Sequence, residues 1–301
     1  MSFATLKRNS SSSFQKLTQE IEKMSTTEGG TDDRFWKPEM DKSGNGYAVI
    51  RFLPPPEGED VPWAKVWSHA FQGPGGWYIE NSLTTLNKKD PVGEMNRQLW
   101  NSGSEKDKEI ARKQKRKLSY YSNIYVVKDP AHPENEGKVF LYKFGKKIFD
   151  KITEAMQPAF ADEKPINPFD FWTGADFKIK LRKVDGYWNY DKSEFADPGV
   201  LGDFDDDTLE QIYSKTYSLV DFTSESNFKT YEELEKRLDS VLNSKPAARV
   251  DRETYEDEEN QVNETVTSFA SSSTPSFSSR STSDEDEDDT LSYFARLAEE
   301  D

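Results

Sequence analysis

The 301-residue chain contains no cysteine and only two histidines. The first absence excludes a disulfide framework, a thiolate nucleophile and any metal site built on sulfur. The second leaves little imidazole for acid–base chemistry. His132 stands in a proline-flanked loop, and His69 lies in an apolar strand, where a lone histidine is more often structural than catalytic. Hydrophobic residues make up only 34% of the chain. No stretch approaches the roughly 18–20 apolar residues of a membrane span, so no membrane partner is expected. The N-terminal MSFATLKRNSSSSF lacks the apolar run of a signal peptide, and a cytoplasmic protein is expected. Glycine is sparse in useful places: Gly44-x-Gly46 has no third glycine and leads into a strand, so it is not a phosphate-cradling loop. Asp203, Asp205 and Asp207 have the spacing that opens a calcium loop. The turn glycine is missing, and the position of the bidentate ligand is Ser214, so helix capping explains them better. No pair of carboxylates stands out, and no enzyme is expected.

What is present is charge, unevenly distributed. The formal net charge is -16 and the isoelectric point about 4.8. Residues 251–301 hold sixteen acids and three bases, a net of -13, which leaves only -3 for the preceding 250 residues. Within those, Glu105 to Lys151 reverses sign, with thirteen Lys and Arg against seven Asp and Glu. Its basic knot Lys115-Arg116-Lys117 runs into Tyr120 and Tyr121. Tyr142, Lys143, Phe144, Lys146 and Lys147 follow. Cations interleaved with flat rings suit a polyanion with unstacked bases: the cations hold phosphates, and each ring gives a base about 1–3 kcal/mol of stacking. A half-buried sheet with a solvated basic face would show the same alternation.

Three regions are expected. Residues 1–30 form a basic, amphipathic arm, with Lys7-Arg8 and with Phe14, Leu17, Ile21 and Met24 at helical spacing. Residues 31–244 form the core. Residues 245–301 form an acidic tail without periodicity. It ends in LSYFARLAEED, whose Leu291, Phe294 and Leu297 mark a helix that docks on a partner. In the core, strands are expected over 47–53, 63–71, 77–80, 120–128, 138–144 and 177–184. The last alternates Phe177, Ile179 and Leu181 with Lys178, Lys180 and Arg182. Helices are expected after Gly145 and over 206–219 and 228–243, and residues 82–119 read as a long polar excursion. The fold class is mainly β with α additions, an OB-type barrel being the expected form.

These residues resemble the single-stranded DNA-binding, helix-destabilising protein family of T-even-type bacteriophages. The resemblance is carried by Asn45-Gly46 with Ala48 to Pro54, by Gly76 to Glu80, by Lys115-Arg116-Lys117 with Ser119-Tyr120, and by Val126 to Ala131. Its most specific block is Pro133 to Phe140 with Tyr142, Phe144, Gly145, Lys146 and Lys147. It covers Trp36 to about Leu238, with a matching arm and tail. The resemblance implies an OB-fold core that coats single-stranded DNA in replication, recombination and repair, in the cytoplasm of the infected host cell. It also implies an arm that binds neighbouring copies of the protein and a tail that recruits replication and recombination proteins. Two Lys/Arg-then-Ser motifs agree with the family pattern: Lys7-Arg8-Asn9-Ser10-Ser11 in the arm and Lys115 to Ser119 in the core. The candidate strand-binding set is Arg51, Trp100, Lys115, Arg116, Lys117, Tyr120, Tyr121, Tyr142, Lys143, Lys146, Lys147, Lys178, Lys180, Arg182, Tyr187 and Tyr190. The family's best-known members also hold a structural zinc with one His and three Cys. His69 matches that histidine, but residues 81–94 supply no thiol, so no cofactor is expected. Trp63, Trp67, Trp77 and Leu83 are the residues expected to replace the metal by packing. Two other readings use the same residues differently: an acidic-tailed interaction hub, and an RNA-binding regulator.

Overall fold

A computed structural model describes residues 32–160, 162–184 and 187–243, with only the backbone of Tyr187. The arm residues Lys7, Arg8, Ser10 and Ser11, and Leu291, Phe294 and Leu297 of the tail, lie outside the described residues. The chain divides into two compact units after Trp36. In the first, the Asp32 carboxylate accepts from the Arg34 amide and guanidinium at 2.7–3.1 Å, a turn that leads into the short strand β1 (Phe35–Trp36).

In the second unit, period-two alternation decides the sheet. Strand β7 (Phe177–Val184) pairs antiparallel with β2 (Asn45–Phe52), placing Phe177 opposite Ile50 and Ile179 opposite Ala48. These four side chains are at most 1% exposed. Lys178 and Lys180 alternate to the other face, opposite Val49 and Tyr47. Strand β5 (Lys117–Lys128) is the longest. Its first part pairs with β3 (Ala64–Gly73), its last part with β2, and its middle with β6 (Val139–Phe144). A hairpin joins β3 to β4 (Gly76–Asn81), while β8 (Tyr187–Asn189) and β9 (Glu194–Phe195) pair with β7. The result is a mainly β molecule with a branched sheet, and no pairing among the described residues closes it into a barrel.

Phe52 sits at the centre, with its ring 5.5–5.9 Å from those of Phe144, Phe169 and Phe177. A second cluster on the other face joins Leu53, Tyr125 and Val139 to Phe171, Leu201, Leu209 and Ile212.

Residues 82–119 are more ordered than the sequence reading expects. They hold a single turn at Leu83–Leu86 and two helices, α1 (Pro91–Asn101) and α2 (Glu105–Lys113). The signals were caps. Asp90 precedes Pro91 and accepts from the Val92 and Gly93 amides, and Ser104 accepts from Asp107 three residues on. Gly103, at φ 78°, makes the turn between the helices in a conformation costly for any other residue. Helix α3 (Lys146–Met156) forms as expected, burying Ile148 and Ile152. Helix α4 (Asp206–Tyr213) stops earlier than periodicity implies. Beyond it, the Asn123 side chain exchanges two hydrogen bonds of 2.8 Å with the Tyr217 backbone, and the Glu59 carboxylate takes the Leu219 and Val220 amides. These bonds interrupt the helix, and the chain resumes only as a single 3-10 turn at Val220–Phe222. Helix α5 (Tyr231–Asn243) opens on a reciprocal Thr230–Glu233 cap. No helix among the described residues is long and apolar enough to cross a membrane.

Candidate nucleic-acid interface

The basic run begins in the last turn of α2, where Arg112 and Lys113 complement the negative helix end. It continues through Lys115-Arg116-Lys117 into β5. Two indoles border it. The Arg116 guanidinium lies 4.2 Å from the centroid of the Trp67 ring, and the Lys65 ammonium stands 5.6 Å from the same ring. Arg112 and Lys108 stand 5.3 and 5.8 Å from the Trp100 ring. Each indole therefore gathers two cations, which its negative ring face attracts. A guanidinium held over an indole also keeps the planar fork that recognises phosphate with two prongs.

The register explains why Trp67 and Lys65 share a face. They lie two apart on β3, opposite Leu118 and Tyr120. On the opposite face of the same strands, Tyr121 stands across from Lys143. The Tyr121 ring stacks on Phe222 at 4.4 Å, with planes 11° apart. Lys146 and Lys147 follow at the exposed start of α3, Lys146 in an ion pair of 3.0 Å with Asp150.

A third group lies on β7. Arg182 is exposed, and Lys180 is bound at 2.7 Å by Glu194. Tyr47, 41% exposed, stands opposite Lys180. The second hydrophobic cluster covers the sheet between this group and Tyr121, so the structure separates the two sets of cations.

Several expected contacts lie deeper. Arg51 is 2% exposed. Its guanidinium donates to Asp176 at 2.8 Å and to the Asp170 and Gly199 carbonyls at 3.2 Å. This corrects the reading of Arg51 as a phosphate contact: its fork is committed to a buried ion pair. Gly174 makes room for it, since a Cβ there would stand 2.9 Å from Arg51 Nη1 and 2.2 Å from the Asp170 carbonyl. Tyr120, Tyr142 and Tyr190 are 6%, 2% and 6% exposed. Tyr120 stacks on Phe149 at 3.9 Å, and Tyr142 packs on Phe144 at 5.4 Å. In this conformation their faces are covered, which the sequence reading did not anticipate. Tyr187 pairs with Val184 through its backbone.

Sequence reasoning missed Lys65, Tyr47 and Phe222 and assigned Trp67 to packing alone. The Lys65-x-Trp67 spacing on a strand was a usable signal, because it puts a cation beside a ring. Nothing local in the sequence marks Phe222 as a partner of Tyr121.

A family profile described as gp32 DNA binding protein like matches residues 44–242. The chain is 38% identical over 239 residues to the single-stranded DNA-binding protein of Enterobacteria phage T2, covering 76% of this chain and 78% of that protein. It is 37% identical over 238 residues to the single-stranded DNA-binding protein of Enterobacteria phage T4, again covering 76% and 78%. A single-stranded DNA-binding protein of Escherichia phage SV14 is 41% identical over 76 residues, 24% of this chain and 67% of that protein. These names are those of DNA-binding proteins and not of an enzyme.

Proposed function

Because the chain belongs to the gp32-like DNA-binding proteins, we propose that it coats single-stranded DNA in replication, recombination and repair, without catalysing a reaction. The observation that carries this reading is the cluster of cations at Lys108, Arg112, Lys113 and Lys115 to Lys117, joined by Lys65 of β3, with Trp67 and Trp100 each beside two cations. Phosphates meet Lys115, Arg116 and Lys117. Tyr121 and Lys143 add a ring and a cation on the opposite face of β5 and β6. Lys146, Lys147, Lys178, Lys180 and Arg182 widen the positive field, Tyr187 borders it, and Tyr120, Tyr142 and Tyr190 form the packed floor. We take the sheet to be an OB-type barrel left open, because β5 serves β3 and β2 with its two halves, as a barrel strand does at a corner.

Intrinsic fluorescence tests the reading. Oligo-dT quenches the tryptophan emission of the full chain, a duplex of equal length does not, and Trp67→Phe removes much of the quench. Equal quenching by duplex sinks the proposal. Tighter binding of oligo-U than of oligo-dT favours the RNA regulator.

The arm and tail act on the same surface. Lys7, Arg8, Ser10 and Ser11 link neighbouring copies along a strand. The tail, at -13, competes with phosphates because it is tethered at high effective concentration. It also presents Leu291, Phe294 and Leu297 to replication proteins. Truncation near residue 250 is expected to tighten oligo-dT binding most at low salt, where charges are least screened. Removal of residues 1–20 is expected to weaken binding to long strands but not to short ones. Unchanged low-salt affinity after the first cut, or equal losses on both lengths after the second, overturns the respective role.

A further inference from the structure

Residues 82–116 leave the sheet after β4 and return to it at β5, carrying α1 and α2 between. The return point is Gln114. Its backbone carbonyl accepts from His69 Nδ1 at 2.9 Å and from Asn96 Nδ2 at 3.1 Å. On the other edge of the imidazole, Nε2 stands 3.3 Å from Asp90 Oδ1, off the line of a hydrogen bond. Asp90 is itself saturated. Oδ2 accepts from Ser82 Oγ at 2.9 Å and the Leu83 amide at 3.1 Å, and Oδ1 accepts from the Val92 and Gly93 amides at 3.0 and 3.2 Å. Burial pushes the Asp90 carboxyl up, but His69, Ser82 and the Gly93 amide outweigh it and hold the group below the ordinary carboxylate range. His69, Ser82, Asp90 and Asn96 are all at most 3% exposed. A buried network that bonds His69 Nδ1, Asn96 Nδ2, Ser82 Oγ and both Asp90 oxygens favours one arrangement of the elements that contribute to it.

This is the place where the resembled family holds zinc, and the donors present do not fit that metal. A closed zinc site takes four ligands, mostly thiolates, with a bare imidazole nitrogen where histidine serves. A carbonyl only accepts, so His69 Nδ1 facing Gln114 must carry a proton. Nε2 faces a carboxylate whose two oxygens already take four N–H and O–H donors. The chain has no thiol to complete a set. Nor do the expected rings fill the place. Trp63 packs 5.4 Å from Phe149 and Phe169, and Trp77 is 41% exposed. Only Leu83 joins the local apolar cluster, with Val92, Phe71, Tyr78, Leu234, Leu238 and Val241. A brace from α5 adds to it: the Tyr231 hydroxyl donates to Glu94 at 2.6 Å, and that bond with burial pushes the hydroxyl up to about 12, so it remains a donor at neutral pH.

We propose that His69, Asp90, Ser82 and Asn96 form a metal-free clamp that locks the α1–α2 hairpin onto β3, beside the start of β5, and so positions the cations from Lys108 to Lys117 for the DNA strand. His69 and Asp90 are positioning residues: they act through the Gln114 carbonyl on the cations that follow it. The positioning role rests on the proposed strand contact; the clamp itself does not.

The test uses the full chain with two variants. His69→Leu keeps volume and removes both ring nitrogens, whereas His69→Asn retains a side-chain N–H near the place of Nδ1. Amide hydrogen exchange without DNA reads the clamp. Protection over residues 91–113 falls in His69→Leu and is largely restored in His69→Asn. Oligo-dT titration reads its consequence: about tenfold weaker binding by His69→Leu, near 1.4 kcal/mol, with a shallower salt dependence, and rescue by His69→Asn. Wild-type protein carries no stoichiometric zinc, and EDTA alters neither its protection nor its affinity. Unchanged protection in a folded His69→Leu protein overturns the clamp. If that variant does not fold, loss of wild-type protection in EDTA, or one zinc per chain, overturns it instead. A wild-type protein that shows the clamp but ignores oligo-dT refutes the functional reading and leaves the clamp standing.

Discussion

Changing Lys115, Arg116 and Lys117 together to alanine is expected to weaken oligo-dT binding about 500-fold at 50 mM salt and about 50-fold at 150 mM, as an upper estimate. The argument is counterion release. Each phosphate neutralised on a single strand contributes a slope of about -0.7 in log affinity against log salt, so three contacts contribute about -2. The loss therefore grows as salt falls below about 1 M and nearly vanishes there. The Trp67 ring also loses the Arg116 guanidinium now 4.2 Å from its centroid, so quenching at saturation should fall too. A titration series from 50 to 500 mM salt gives the slope directly. A triple variant with wild-type slope would mean that these cations do not meet phosphate.

Arg51→Ala is expected to do the reverse: a large loss of stability with an unchanged salt slope. Removing one member of a buried ion pair costs roughly 3–5 kcal/mol. Asp176 is 27% exposed, which favours the lower end. For a domain of this size about 3 kcal/mol corresponds to a melting temperature lower by about 6–12 °C. Two carbonyls, of Asp170 and Gly199, lose their donor as well. Measured below its melting point, the variant should bind oligo-dT with the wild-type salt slope. A normal melting temperature with a reduced slope would return Arg51 to the strand-binding set.

The sequence reading succeeded where one short-range rule decides the outcome. Alternation in Phe177 to Arg182 settles which face is core, because a one-residue slip would expose every apolar side chain. The Lys115-Arg116-Lys117 knot was visible as charge alone. The reading failed where the deciding partner is distant in sequence. Arg51 looks like any cation beside an apolar strand until Asp176 and the Gly199 carbonyl are brought to it. Tyr120 and Tyr142 look like stacking platforms until Phe149 and Phe144 cover them. The α1–α2 hairpin was a different failure: the Asp90-Pro91 and Ser104-x-x-Asp107 caps and the helical spacing of Val92, Met95 and Leu99 were present, but α2 carries only Ile110 and Ala111 as apolar residues and the whole stretch reads as polar.

Near the far end of α5, the Val241 carbonyl accepts from the Gly75 amide at 2.7 Å, in the turn of the β3–β4 hairpin. A side chain at Gly73 would come within 2.6 Å of the same carbonyl. For a chain emerging from the ribosome, this contact orders events in time. The hairpin is synthesised early, yet its turn finds this acceptor only after more than half of the chain has followed. Contacts of such span slow folding, because a long loop must close before they form. During synthesis the β3–β4 turn therefore waits for the last helix of the core, and residues beyond that helix emerge once closure is already possible. A protein cut near residue 250 keeps this final contact, whereas one cut before Val241 loses it.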